Sequence, residues 1–190
     1  MSTSGFPPEE LKAIVQEVAT LLKERSETIS VAETASCHSL SCSAYLTQRQ
    51  AAGGLISATL LSFPGASKYY KGGLTLYTLE SRIAFAGWTP QHIENYKGPT
   101  PEVVSGLAEH TRKTLGSTYT VSESGTAGPT GGTTRNRTPG YVALAVAREG
   151  VETVTREHET GSSDREANMQ SFAVEGLKLV RDVIKGQGKL

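Results

Sequence analysis

The sequence predicts an α/β fold, a three-layer α/β/α sandwich around a mixed sheet, and three observations lead there. Helical and strand-like patterns alternate along most of the chain. Two strand-to-loop junctions, Glu33 to Gly54 and Ser124 to Gly132, are rich in glycine. The chain then closes with two strands joined by a tight turn and a long amphipathic helix. Alternating strand and helix units build parallel strands with helices on both faces, and a terminal hairpin adds antiparallel ones. At 190 residues the chain reads as one domain, 1–190, with a core from about residue 8 to 186.

The first helix is expected from Pro8 to Glu24. Leu11, Ile14, Val15, Val18, Leu21 and Leu22 recur at helical spacing, and proline suits a first turn. A buried strand follows from Thr28 to Ala32 and ends in Glu33-Thr34-Ala35. Gly53-Gly54 opens a helix with Leu55, Ile56, Thr59 and Leu60 on one face, stopped by Phe63-Pro64-Gly65. Gly72 to Thr78 reads as the second strand, with Leu74 and Leu76 on one face and Tyr77 on the other. A short helix spans Leu79 to Ala86, and Trp88 to Pro99 shows no period and reads as loop.

Thr100 and Pro101 then cap and begin a helix carrying Val103, Val104, Leu107, Ala108 and Leu115. Thr118 to Ser122 is the third strand. Gly140 to Arg148 and Val151 to Glu159 form a hairpin about Glu149-Gly150. Ser163 opens the last helix with Glu166 completing a capping box, and Phe172, Ala173, Leu177, Val180 and Ile184 make its buried stripe.

Lys+Arg and Asp+Glu each number 19, so no overall field argues for nucleic acid or an anionic membrane. No apolar run reaches the roughly 18–20 residues needed to span a bilayer. The first residues lack the basic and apolar regions of a signal peptide. Two cysteines do not make a disulfide framework. The expectation is a soluble cytoplasmic domain acting on a small molecule.

The two glycine-rich junctions are expected to meet at the carboxyl ends of the strands, where open α/β sheets bind ligands. Glycines let a ligand approach the backbone, and the N–H groups of a first helical turn favour anions. The alternative for these glycines is that they only make tight turns.

Ser30-Val31-Ala32-Glu33-Thr34-Ala35, joined directly to Ala52-Gly53-Gly54-Leu55, resembles the S-V-A-E-S-x-T-G-G-L segment of the CinA C-terminal domain family. The likeness continues through Pro64-Gly65-Ala66-Ser67, Lys71 to Tyr77 and Ser124-Gly125-Thr126-Ala127-Gly128-Pro129-Thr130-Gly131-Gly132, and ends at Thr138-Pro139-Gly140-Tyr141-Val142. It covers roughly Leu11 to Ile184. The resemblance implies a nicotinamide mononucleotide (NMN) deamidase: hydrolysis of the NMN carboxamide to nicotinate mononucleotide and ammonia. It implies no metal, no cofactor and a symmetric homo-oligomer.

The family's nucleophile is a serine and its base a lysine. Here the matching positions hold Thr34 and Arg82. A threonine hydroxyl serves as a nucleophile when a base is adjacent. An arginine side chain stays charged and cannot be that base, but it can hold an anion or stabilise an oxyanion. Tyr77 or Glu33 then has to take the proton. The expected catalytic set is Thr34, Arg82 and Tyr77. The expected substrate-binding set is Glu33, Gly53, Gly54, Gly72, Gly73, Ser124, Gly125, Gly128, Gly131 and Gly132. For Glu33 the alternative is a carboxylate satisfied by nearby backbone N–H groups. The competing reading of the whole protein is a non-catalytic nucleotide-binding member of the family.

Residues 36–51 interrupt the family pattern, and removing them restores it without a gap. They read either as an insertion or as an untranslated gene segment retained in frame. Ala44, Tyr45 and Leu46 allow the segment to extend the following helix backwards. Cys37, His38 and Cys42 invite a metal reading, but zinc takes four ligands and His92, His110 and His158 are scattered. Loop closure tolerates the added length, whereas separating Thr34 from Gly53-Gly54 weakens catalysis.

Overall fold

A computed structural model describes residues 5–35 and 52–187. In chain order the elements are α1 (Glu9–Arg25), β1 (Ile29–Ala35), α2 (Leu55–Ser62), β2 (Tyr70–Leu76), α3 (Leu79–Phe85), α4 (Pro90–Glu94), α5 (Pro101–Leu115), β3 (Tyr119–Thr126), β4 (Tyr141–Arg148), β5 (Val154–Glu159) and α6 (Arg165–Ile184). The strands form one mixed sheet in the order β2-β1-β3-β4-β5. β1 runs parallel to both β2 and β3, while β4 is antiparallel to β3 and β5.

Alternation along the strands decides what each face meets. Ile29, Val31, Val121, Val142, Leu144 and Val146 join α1, α2 and α6 in the main core. On the opposite face β4 presents Tyr141, Ala143, Ala145 and Ala147 to Val104 and Ala108 of α5. Those alanines let the helix lie close to the sheet. A third cluster, Ala32, Leu76, Ala86 and Leu107 with Leu74 and Trp88 against it, packs α3 and α5 on that same face. The helices therefore lie on both sides of the sheet, and Leu74 and Leu76 share one face of β2 as expected. No helix among the described residues is long and apolar enough to cross a membrane.

Five local expectations are corrected. Trp88–Pro99 is not all loop: Thr89 and His92 make a reciprocal capping box and Pro90 starts the one-turn helix α4, too short to show a period. β1 and β3 both run further than their apolar residues suggest. Pairing from Glu33↔Glu123 to Ala35↔Gly125 carries them into the polar residues, so Ser124 to Thr126 is strand and not loop. β2 begins at Tyr70 and ends at Leu76, which leaves Tyr77 beyond it. β5 begins at Val154, since its pairing with β4 stops at Val146↔Val154. The cap of α6 is Asp164, whose carboxylate accepts from the Ala167 N–H at 3.0 Å, in place of Ser163. The expectations for the segment 36–51, including its Cys37, His38 and Cys42, lie outside the described residues.

Candidate active site at the carboxyl ends of β1 and β3

Two glycines and a carboxylate build the start of α2. Gly53 and Gly54 sit at φ 66° and 93°, a left-handed conformation that glycine enters freely and other residues rarely do. That turn aims the first N–H groups of α2 back at β1, where Glu33 receives them. Its Oε2 accepts from Gly54 N at 2.8 Å and Ile56 N at 3.2 Å, and its Oε1 from Ser57 N at 3.0 Å and Ser57 Oγ at 2.9 Å. The anion that this helix start favours is the protein's own side chain, which satisfies donors no intrahelical acceptor reaches. Burial pushes the Glu33 carboxyl up, while the bonds from Ser57, Ile56 and Gly54 pull it down.

Strand register places Glu123 directly beside Glu33. Both are buried, Glu123 completely. Its Oε2 accepts from Ala52 N at 3.1 Å, and its Oε1 has no hydrogen-bond partner among the described residues. Complete burial raises the Glu123 carboxyl well above its ordinary range, the Glu33 charge raises it further, and the Ala52 N–H and the Arg82 charge oppose the rise. This residue is absent from the sequence-based set. The available signal was a lone carboxylate in an otherwise uncharged stretch, Tyr119 to Thr126, in a strand that proves buried along its whole length.

One residue further along each strand, and on the opposite face, Thr34 pairs with Ser124. Both side chains are buried. The Thr34 hydroxyl donates to the Glu123 carbonyl at 3.3 Å, and Ser124 Oγ is buried with no partner among the described residues. The face they share is the one against which Ala86 and Trp88 pack beside Ala32. Arg82 of α3 is fully buried there, with its guanidinium 4.8 Å from the ring centroids of both Trp88 and Tyr96. Trp88 and Tyr96 were also missed, because α4, which returns Tyr96 over Arg82, was read as loop. Tyr77 stands just past β2, half-buried, with a buried hydroxyl.

The structure therefore brings Thr34, Ser124, Glu33, Gly53, Gly54 and Arg82 to one end of the sheet. The remaining glycines are placed by packing. Gly72 and Gly73 pair with Ser30 and Val31, nearer the amino end of β1, where a Cβ on Gly73 would come within 2.8 Å of Ser57 Oγ. Gly125 lies under Tyr141 and Phe172, Gly128 against Ser163 and Pro139, and Gly131 and Gly132 against Pro139 and Arg137. The described residues contain no group of three or more His, Cys, Asp or Glu placed to hold a metal ion.

The family model described as the CinA C-terminal domain matches residues 11–184. A CinA-like protein of Desulforapulum autotrophicum is 31% identical over 173 residues, covering 91% of this chain and 37% of that protein. One from Koribacter versatilis is 36% identical over 146 residues, covering 76% and 31%. The chain thus spans well under half the length of these curated relatives. Among solved structures, the competence/damage inducible protein CihA from Agrobacterium tumefaciens superposes with a TM-score of 0.79 at 18% identity, covering 95% of this chain and 99% of that one. A competence or damage-inducible protein from Enterobacter asburiae gives 0.75 at 21%, covering 92% and 98%. At those identities the likeness concerns the fold.

Proposed function

Because the chain belongs to the CinA C-terminal domain family, we propose that it hydrolyses the carboxamide of a pyridine mononucleotide of the NMN type, with the Thr34 hydroxyl as nucleophile. The observation that carries this reading is the juxtaposition of Thr34 and Ser124 on neighbouring parallel strands, on the face where Arg82 is buried. The Thr34 oxygen adds to the carboxamide carbon. The carbon–nitrogen bond then breaks as the nitrogen gains a proton and leaves as ammonia. Water cleaves the resulting ester, releasing the pyridine carboxylate and restoring the hydroxyl. Arg82 supplies a fixed positive charge for the oxyanion, a role that needs no proton transfer.

Proton transfer falls to a carboxyl. Four donors engage Glu33, whereas Glu123 keeps one oxygen with no partner among the described residues. The Glu123 side chain faces away from the Thr34 hydroxyl, so exchange between them needs a relay around the strand ends and not a direct hydrogen bond.

A second reading, a nucleotide binder without turnover, is favoured by one observation: the hydrogen bond from the Thr34 hydroxyl among the described residues goes to a backbone carbonyl and not to a base. Ammonia release from NMN decides between them, measured on the full chain and on a version lacking residues 36–51. Release by either version supports hydrolysis. Thermal stabilisation by NMN with no ammonia from either supports the binder.

A further inference from the structure

At the end of the sheet away from Thr34, the turn from α5 into β3 and the end of β4 enclose a cavity of about 600 Å³. Gly116 to Thr118 line it on one side, and Arg112, Lys113, Arg148 and Glu149 supply its charges. Tyr119, the first residue of β3, pairs with Arg148, the last of β4. Ser124, which pairs with Thr34, lies five residues further along β3. At about 3.3 Å per residue this separates the cavity from the candidate active site by roughly 17 Å. The two share no residue.

The turn beneath the charges is held by its own polar groups. The hydroxyls of Ser117, Ser30 and Thr120 contact one another in a closed, buried ring. Thr28 and Thr118 exchange hydrogen bonds, each backbone N–H donating to the other's side-chain oxygen, at 3.0 and 3.1 Å. The Arg112 carbonyl accepts from the Gly116 and Ser117 N–H groups, with Gly116 at φ 60°, which turns the chain sharply from helix to strand. Groups fixed in advance lose less freedom when a ligand binds.

Three cations face one carboxylate in this lining. A helix C-terminus favours basic residues, which accounts for Arg112 and Lys113 singly. It does not account for Arg148, which reaches the same cavity from β4. Arg112 is half-buried, and neither it nor Lys113 has an ion-pair partner among the described residues. Arg148 stands 5.5 Å from the Tyr119 ring centroid, and its ion pair with Glu27 is 4.0 Å long, beyond hydrogen-bond distance. Glu27 instead accepts from the Tyr119 hydroxyl at 3.1 Å. A guanidinium takes phosphate oxygens two at a time, and an ammonium adds a point charge.

We propose that this cavity binds a small phosphate-bearing anion through Arg112, Lys113 and Arg148. Glu149 offsets one of the three positive charges, so a multiply charged anion gains more than a singly charged one. The balanced charge of the whole chain and the concave shape favour a small anion over a nucleic-acid strand. The site goes beyond the hydrolytic reading and stands whether or not NMN is turned over.

Calorimetric titration of the full chain with pyrophosphate, at an ionic strength held constant with sodium chloride, tests this. Inorganic phosphate and glucose 6-phosphate are titrated alongside, to tell a free anion from a phosphate ester. The titrations are repeated on Arg112→Gln, Arg148→Gln, Lys113→Gln, Lys12→Gln and Thr34→Ala. Expected is saturable binding of at least one of the three anions, weakened at least about tenfold by either arginine substitution and several-fold by Lys113→Gln. Lys12→Gln and Thr34→Ala should leave it unchanged. Lys113 is exposed, so its variant keeps the test decisive even where an arginine variant unfolds. No saturable binding of any of the three overturns the proposal, as does binding that survives all three cavity substitutions. An equal loss in Lys12→Gln also overturns it, because charge anywhere on the surface then suffices. Loss in Thr34→Ala assigns the anion to the candidate active site and overturns it too.

Discussion

Removing the Glu33 carboxylate is expected to cost the protein about 3 kcal/mol or more, because one side chain closes the start of α2 onto β1. Glu33→Ala deprives three backbone N–H groups and the Ser57 hydroxyl of their acceptor. Ile56 is fully buried, so its N–H is left without water, whereas Gly54 and Ser57 are only half-buried and partly recover. A buried orphaned donor costs about 1–3 kcal/mol and bonds to a charged acceptor are worth about 1.5–3. Taking about 2 for Ile56 and about half to one for each other donor gives roughly 3–5 kcal/mol. Some of this returns, since Glu123 loses the negative neighbour that opposes its ionisation. Glu33→Gln keeps the shape and one acceptor oxygen and should lose about half as much. Urea unfolding measures both: with a slope of about 2–3 kcal/mol/M, Glu33→Ala moves the midpoint down by about 1 M or more. A midpoint within about 0.3 M of the wild type refutes the capping account.

Two further outcomes follow from the same region. Burial raises both Glu33 and Glu123 above the ordinary 4.5, so the folded chain holds these protons more tightly than the unfolded chain. Their contribution to stability is therefore complete below about pH 4.5 and declines as pH rises through the folded-state values. Glu123→Gln should gain stability relative to the wild type as pH increases from there, read as the difference between two urea midpoints at each pH; a difference that does not change with pH contradicts the buried carboxyl. Gly125→Ala should destabilise by about 2 kcal/mol or more, because its Cβ would lie 2.7 Å from the Tyr141 carbonyl and 3.0 Å from the Phe172 ring. A calorimetric melting temperature equal to that of the wild type would show that the β3–β4 contact relaxes.

The fold was legible where one physical rule governed a long segment. α1, α5 and α6 declare themselves by helical spacing over several turns, and the edge pairing of β4 with β5 by the Glu149-Gly150 turn. What the sequence hid is set by partners far along the chain. β3 continues through Ser124 and Gly125 because β1 and β4 supply its hydrogen bonds on both sides, and no local preference encodes that. The missing α4 rests on three capping residues and not on a period. In the candidate site, Thr34, Arg82 and Ser124 were found through motif likeness, while Glu123 was not, since a carboxylate in a strand looks like a surface residue until both faces of β3 are seen to be covered. Glu33 was legible with two alternatives, and its four donors match the satisfied carboxylate. Gly72 and Gly73 read as site glycines because they flank the motif, yet register carries them toward the other end of the sheet.

The central claim is that the Thr34 hydroxyl performs the chemistry, and ammonia release from NMN by the full chain, Thr34→Ala and Thr34→Ser tests it most directly. The account predicts release by the full chain, at least as much by Thr34→Ser, and a loss of about a hundredfold or more in Thr34→Ala with NMN still bound. Release by Thr34→Ala at the wild-type rate would contradict it.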